Sequence, residues 1–164
     1  MVQKYLSIAL LLLICSAFSA QSNSPIIPKP TLLQSNENVF SYSNGLDVKI
    51  LRGNENTKRL QKELSDFLKG RDITIVPYSS TTISLNLLSN KDIDLPADGY
   101  KLIITPSSIA ITSTGNAGLF YGVQSLKQLF YAPLTQKLDC VDIKDTPAFS
   151  VGGMHVDAAH RFFA

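Results

Sequence analysis

The sequence is poor in the residues that usually build metal and thiol sites. It has 164 residues, with no tryptophan, two cysteines and two histidines. Cys15 and Cys140 do not form a CxxC pair and no His/Cys pattern has metal-ligand spacing, so we predict no metal site and no cofactor. Charge is nearly balanced, at 15 basic and 13 acidic residues, which argues against nucleic-acid and membrane-surface partners. The 45% of hydrophobic residues suffices for the core of about one domain.

The N-terminus has the pattern of a targeting segment. Lys4 precedes an apolar run at residues 6–14, which is shorter than the ~20 residues of a membrane-spanning helix. Small residues follow, so residues 1–20 are predicted to be a signal peptide, and no integral membrane span is expected after cleavage. We therefore expect export to the periplasm or the extracellular space. Two alternatives stay open: an uncleaved anchor, and lipidation at Cys15, which the bulky Ile14 disfavours.

Strand patterns alternate with helical ones along the rest of the chain. Apolar or alternating runs predict strands at residues 39–42, 46–51, 73–76, 82–87, 100–104, 109–112, 138–143 and 151–156. Cys140 lies in one of these runs and is interpreted as a small buried hydrophobic side chain. The overall order is typical of an α+β layer. We predict one mostly antiparallel sheet with two helices packed on one face.

The first helix is predicted from apolar residues at helical spacing. Its apolar face is formed by Leu60, Leu64, Phe67 and Leu68. Asn54 or Asn56 is the expected N-cap, and Gly70 is the expected C-terminal stop.

The second helix is predicted at residues 118–130, with Asn116 as a candidate cap. It is apolar almost all round, and such a helix is normally covered on more than one side. Gly118 and Gly122, four residues apart, predict a close approach to a neighbour, while Phe120 and Tyr121 are expected to supply area to bury.

Three motifs stand in order in the middle of the chain: YKLII at residues 100–104, IAITS at 109–113 and AGLFYGVQSLKQL at 117–129. They resemble the Y-x-L-x-I strand, the I-x-I-x-A strand and the A-G-x-x-Y-G-x-Q-T-L-x-Q-L helix of the β-N-acetylhexosaminidases, glycoside hydrolase family 20. Ser125 replaces the usual threonine, and IIPKP at residues 26–30 is similar to the family's V-I-P-x-P opening. The resemblance covers nearly the whole mature chain. It implies that residues 21–144 form the family's N-terminal α+β domain.

The C-terminal residues resemble the pattern that opens the family's catalytic (β/α)8 barrel, D-x-P-x-F-x-x-R-G-x-x-x-D-x-x-R-x-F. DTPAF stands at residues 145–149, and a glycine, an aspartate and a phenylalanine come after it at matching places. Residues 145–164 are therefore expected to begin a truncated barrel. His160 stands where the family has a sugar-binding arginine, and Arg161 comes one place later. Arg161 is thus the candidate substrate-binding residue; the alternative is a solvated arginine or one paired with Asp157.

The resemblance also implies an activity for the full-length enzyme: hydrolysis of terminal N-acetylhexosamine from glycans or chitin-type oligosaccharides. In the family the substrate's own acetamide attacks, a glutamate is the general acid and the preceding aspartate orients the acetamide. No Asp-Glu dipeptide occurs in this sequence, so we expect no catalytic residue here and no activity from the chain alone. One hypothesis is that the chain is the N-terminal domain of an exported β-N-acetylhexosaminidase, in which glycans bind to the missing barrel. The other hypothesis is that the chain is a stand-alone, non-catalytic carbohydrate-associated or scaffolding module.

Overall fold

The computed structural model describes residues 26–90, 92–131 and 136–146, which form one six-stranded sheet and two helices. The strands are β1 (Leu32–Ser41), β2 (Asp47–Arg52), β3 (Thr82–Leu87), β4 (Tyr100–Ile104), β5 (Ser108–Ser113) and β6 (Lys137–Asp145), and the helices are α1 (Glu55–Lys69) and α2 (Asn116–Tyr131). Neither helix in this part of the chain is long and apolar enough to cross a membrane. The strand predicted at residues 151–156 and the expected start of a barrel lie outside the described residues.

The sheet is mixed, with the strand order β1-β6-β4-β5-β3-β2. The pairs β1–β6, β6–β4 and β4–β5 are antiparallel, whereas β5–β3 and β3–β2 are parallel. The parallel pair β2–β3 is possible because α1 lies between the two strands in the sequence and supplies the long connection that parallel neighbours require. The predicted α+β class is therefore confirmed, and antiparallel pairs are in the majority.

The core lies between the sheet and the two helices, as predicted. Alternate residues of β4 and β5 point to this side and are buried: Tyr100, Leu102, Ile104, Ile109 and Ile111. Helix α1 contacts β2 and β3, helix α2 contacts β3, β4 and β5, and the two helices contact each other. Both helices therefore cover the same face. Cys140 is buried in this core, which confirms its interpretation as a hydrophobic side chain.

Helix α1 begins and ends where its capping residues predict. The side chain of Asn54 accepts a hydrogen bond from the backbone N–H of Thr57, and the Thr57 hydroxyl accepts one from the backbone N–H of Asn54. This reciprocal capping box satisfies two donors that a helix start otherwise leaves unpaired. Gly70 is the C-cap, and its N–H donates to the carbonyl of Asp66.

Two strand predictions need correction. Residues 73–76 do not form a strand; Ile75 makes an isolated bridge to Leu46, after which Pro77 and the positive φ of Tyr78 turn the chain away. Strand β1 is longer than predicted, because it begins at Leu32 rather than at residue 39. Its middle is polar and largely exposed at an edge of the described sheet, so it lacks the apolar alternation by which a half-buried strand is recognised.

Candidate functional site

The site residues predicted near the C-terminus, Arg161, His160 and Asp157, lie outside the described residues, so their roles stay predictions. In the described part of the chain, no three His, Cys, Asp or Glu side chains are grouped as metal ligands would be. Burial, with a smaller contribution from the charge of Asp139, raises the pKa of the Cys140 thiol. A thiol held protonated is a poor nucleophile. Cys140 is therefore a packed core side chain and not an activated nucleophile.

The inner face of α2 packs against the sheet at van der Waals distance. A Cβ added at Gly122 would lie 2.5 Å from Cγ2 of Ile111, and one added at Gly118 would lie 2.1 Å from the carbonyl oxygen of Gly99. This confirms the close approach predicted from the two glycines. The neighbour is the chain's own sheet.

Away from this inner face, α2 carries three exposed aromatic side chains, Phe120 and Tyr121 near its start and Tyr131 at its end, which we together call the aromatic face. Their side chains are 42%, 41% and 64% exposed, and the rings of Phe120 and Tyr121 meet edge to face at 5.8 Å. The expectation that Phe120 and Tyr121 are buried is therefore not met within the described residues. The exterior of α1 is different, because it carries ion pairs such as Lys58–Glu55 and Lys62–Asp66. Exposed aromatic clusters are typical of interaction surfaces.

Contacts between the two helices hold the aromatic face in place at its C-terminal end. The guanidinium of Arg71 lies 4.7 Å from the ring centre of Tyr131, and the Tyr131 ring meets Phe67 edge to face at 5.3 Å. Lys127 on α2 forms an ion pair with Glu63 on α1. The hydrogen bond from Lys127 lowers the pKa of the Glu63 carboxyl below its ordinary value. The cation–π contact and the aromatic contact therefore restrict the rotation of the Tyr131 side chain.

Tyr100 and Ser125 join α2 to the middle of the sheet. Their hydroxyl oxygens share a buried hydrogen bond of 2.6 Å. Burial raises the pKa of Tyr100 to about 12; the hydrogen bond from Ser125 opposes the shift, and the charge of Asp145 adds to it. A phenol with this pKa stays protonated at neutral pH, so it cannot act as a general base there. Serine at position 125 keeps the hydroxyl that this bond needs.

A shallow hollow of about 340 Å³ lies on the sheet face away from the helices. Its lining comes from the irregular part of β1, the end of β4 with the turn after it, and β6, and includes Gln34, Asn36, Thr105 and Asp142. No aromatic side chain is among its described lining residues, so it offers no ring on which a sugar could stack.

Comparison with known proteins identifies the family of this α+β domain. The family profile for "Glycosyl hydrolase family 20, domain 2" matches residues 23–146, which is most of the chain. The chain belongs to glycosyl hydrolase family 20.

Relatives with this family 20 domain are much longer than the present chain. A β-hexosaminidase of Vibrio vulnificus is 27% identical over 137 residues, which cover 84% of this chain but 15% of the relative. A β-hexosaminidase of Akkermansia muciniphila is 34% identical over 85 residues, covering 50% of this chain and 17% of the relative. The chain thus spans less than a fifth of either protein.

Solved structures share the fold of the family 20 domain. The chitobiase of Flavobacterium johnsoniae superimposes with a TM-score of 0.66 at 20% identity, over 84% of this chain and 23% of that one. The N-acetyl-β-hexosaminidase of Streptomyces plicatus gives a TM-score of 0.62 at 23% identity, over 77% and 27%. At these identities the likeness shows the α+β fold alone.

Several contacts of the family 20 domain have no local signal in the sequence. The spacing of Gly118 and Gly122 indicates a close approach, but no pattern indicates the contact between Arg71 and Tyr131, because a cation–π pair between two helices has no periodicity. Nor does any pattern indicate that Gln128 contacts the backbone of Ile27, 101 residues away. Only their place in the helix motif and in the proline-rich opening could have drawn attention to the last two residues.

Proposed function

We propose that this chain is the N-terminal, non-catalytic domain of an exported β-N-acetylhexosaminidase, and that the aromatic face of α2 packs against the catalytic part of that enzyme. The complete enzyme would remove terminal N-acetylhexosamine from glycans or chitin-type oligosaccharides. Family membership, the names of the relatives and the small share of their length that the chain covers support this proposal.

The aromatic face is the observation that carries the proposal. Phe120 and Tyr121 lie in the second turn of a helix whose other side is well packed, and about two fifths of each side chain stays exposed among the described residues. Fully burying a side chain such as phenylalanine gains ~1.5–3 kcal/mol, so leaving this cluster in water forgoes a substantial stabilisation. A domain that functions alone would gain from a charged exterior such as that of α1. An apolar partner surface is the kind that would complement these exposed aromatic side chains.

Activity provides the first test. The purified chain should not hydrolyse an aryl N-acetylglucosaminide, since it lacks the Asp-Glu pair that the family's mechanism requires. A full-length family 20 enzyme assayed in parallel is the positive control. Turnover that co-purifies with the chain and scales with its concentration would refute the non-catalytic role. Titration with a chitin oligosaccharide tests the alternative of a stand-alone binding module, which predicts saturable heat where our proposal predicts none.

The docking surface is tested by comparing the chain with its natural context. The gene should continue in frame beyond the codon for Ala164 and encode an Asp-Glu pair; a stop codon followed by unrelated sequence would count against the proposal. In the longer protein, Phe120→Ser should cost ~1 kcal/mol more in unfolding free energy than in the present chain, because the 42% of the side chain that is exposed here would be buried there. Lys58→Ala on the charged exterior of α1 is the control and should cost the same in both. Equal costs for Phe120→Ser would show that the face stays uncovered.

Export rests on the N-terminal pattern and is tested separately. Expression in a bacterial host with an intact secretory pathway should yield protein in the periplasm or the medium whose mass corresponds to cleavage near residue 20. A mass increased by a lipid on Cys15 would favour the lipoprotein alternative, and retention of residues 1–20 would favour the uncleaved anchor.

A further inference from the structure

Residues 26–31, which we call the N-terminal strap, precede β1 and cross from α2 to the end of β6. Their first attachment is the carboxamide of Gln128 on α2. Its Oε1 accepts a hydrogen bond of 2.7 Å from the N–H of Ile27, and its Nε2 donates one of 3.1 Å to the carbonyl oxygen of the same residue. One side chain therefore satisfies both backbone groups of Ile27. Ile26 beside it is buried, while the Ile27 side chain is exposed.

The second attachment is the carboxylate of Asp145, the last residue of β6. Its Oδ1 accepts hydrogen bonds of 2.9 Å from both the N–H and the hydroxyl of Thr31. Bonds to an ionised acceptor are stronger than neutral ones. The carboxylate at the end of the last described strand thus holds the residue that precedes the first strand.

The residue after Asp145 packs closely against the residue before β4. The hydroxyl oxygen of Thr146 lies 2.9 Å from the position that a Cβ on Gly99 would occupy, so a side chain there would push Thr146 away. Strand β4 begins at the next residue and pairs Tyr100 with Asp145. The segment that leaves the sheet therefore contacts the strap on one side and β4 on the other.

We infer that the N-terminal strap fixes the direction in which the chain leaves the domain at residues 145–146, and that Gln128 and Asp145 are its two positioning residues. The two anchored residues of the strap, Ile27 and Thr31, are only four apart, so the strap opens and closes as one small cooperative unit. Opening it frees the Asp145 carboxylate from the N–H and the hydroxyl of Thr31, while the pairing of Asp145 with Tyr100 of β4 remains. These contacts all lie within the described residues. Only the identity of the segment after residue 146 depends on the proposed function.

Hydrogen exchange followed by mass spectrometry on the full 164-residue chain tests the inference without any measurement of activity. The two windows are peptides covering residues 26–33 and 140–146, and a peptide from β5 reports whether the fold is intact. Gln128→Ala removes both bonds to Ile27 and should raise exchange in both windows by about tenfold, the effect of losing roughly one net hydrogen bond. Gln124→Ala, one turn earlier on the same helix and in contact with Glu63 rather than the strap, is the control and should leave both windows unchanged.

A second variant tests whether the strap acts as one unit. Thr31→Val keeps the shape of the side chain but removes the hydroxyl donor to Asp145, and it should also accelerate exchange in both windows. If the strap opens as one unit, each variant should raise exchange in both windows by the same factor, and the double variant with Gln128→Ala should raise both windows by about the product of the two factors. Faster exchange in window 26–33 alone would overturn the inference, as would a different factor in each window. The inference likewise fails if both windows keep the parental rate.

Gln128→Glu gives a readout that a general loss of stability would not produce. At neutral pH the carboxylate keeps an acceptor for the N–H of Ile27 but cannot donate to its carbonyl, so exchange should rise. Below the ordinary glutamate pKa of ~4.3 the protonated acid can again both accept and donate. After correction for intrinsic rates, protection relative to the parent should return at about pH 3.5 in Gln128→Glu but not in Gln128→Ala. No difference between the two variants at low pH would refute the two-point hydrogen bonding.

Discussion

Replacing Gly118 by alanine is the most direct test of how closely α2 approaches the sheet. An ideal Cβ at this position lies 2.1 Å from the carbonyl oxygen of Gly99 and 2.4 Å from the hydroxyl oxygen of Ser113. The two oxygens are themselves joined, because the Ser113 hydroxyl donates a 2.7 Å hydrogen bond to the Gly99 carbonyl. The obstacle to the new methyl group is therefore backbone with a buried hydrogen bond, which no rotamer change can remove.

Two opposing effects set the magnitude. Alanine is a better helix former than glycine by up to ~1 kcal/mol, and less so near a helix start, which is where Gly118 lies. Against this, overpacking costs ~1–3 kcal/mol, and leaving a buried polar group unsatisfied costs a further ~1–3 kcal/mol if the Ser113–Gly99 bond breaks. We expect Gly118→Ala to lower the unfolding free energy by ~2 kcal/mol, since the unfavourable contributions outweigh the gain in helix propensity.

Urea unfolding and thermal melts of the purified chain measure the change, and a loss of ~2 kcal/mol should lower the melting temperature by roughly 6–12 °C for a domain of this size. Gly122→Ala should cost less, because its nearest obstacle is a side-chain methyl group at 2.5 Å that can shift. Gly70→Ala is the control: its nearest atoms are 3.5 Å away and its φ is −65°, so it should be neutral or stabilising by up to ~1 kcal/mol. A Gly118→Ala protein that melts at or above the parental temperature, with Gly70→Ala behaving as expected, would refute the reasoning.

Three further changes test other parts of the fold. Burial raises the pKa of Tyr100 from 10.0 to about 12, so the unfolded chain loses this proton first and the parent should lose ~2–3 kcal/mol of stability between pH 10 and 12. Urea unfolding at pH 8 and at pH 11.5 should show a smaller loss of stability for Tyr100→Phe than for the parent. Equal losses in the two proteins would contradict this pKa for Tyr100. Lys127→Met should lower the unfolding free energy by under ~1 kcal/mol at pH 7, since Glu63 is half-exposed. The ion pair that lowers the pKa of Glu63 stabilises only the ionised carboxylate. The difference in unfolding free energy between variant and parent should therefore disappear as the pH falls below the ordinary Glu63 pKa of 4.5. Asn54→Ala should cost ~1 kcal/mol in a thermal melt by removing the N-cap, while Asn56→Ala, the other cap candidate, should cost much less.

Elements with a clear apolar period could be predicted closely from the sequence. Strands β3 and β4 begin and end at the predicted residues, and both helices agree to within a turn. The full length of strand β1 could not be predicted, because its polar residues 34–38 lie at an edge of the described sheet, where both faces of the strand meet water. The parallel pairing of β3 with β5 was also beyond prediction, since the choice of neighbour depends on contacts between distant segments and not on local pattern.

The surface of α2 was also predictable only where a local pattern marks it. The spacing of Gly118 and Gly122 predicted a close approach but could not say that the partner is the chain's own sheet. Phe120 and Tyr121 were expected to be buried because they are aromatic, and hydrophobicity does not tell whether the covering element belongs to the same domain. The bonds of Gln128 and Asp145 to the strap depend on exact side-chain geometry across more than a hundred residues, for which no local signal exists.

The pairing of the first strand with the last one governs how this domain can be made. Strand β1 lies beside β6 within the described sheet, and Thr31 and Asp145, which close this pair, are 114 residues apart. A chain synthesised or exported from its N-terminus therefore carries β1 unpaired until nearly all of the domain has emerged, and closing so long a loop makes folding slow. Any premature termination before residue 137 would leave edges exposed on both β1 and β4, and such edges recruit other chains. Completion of β6 is thus the step at which one edge of β1 and one edge of β4 are covered together.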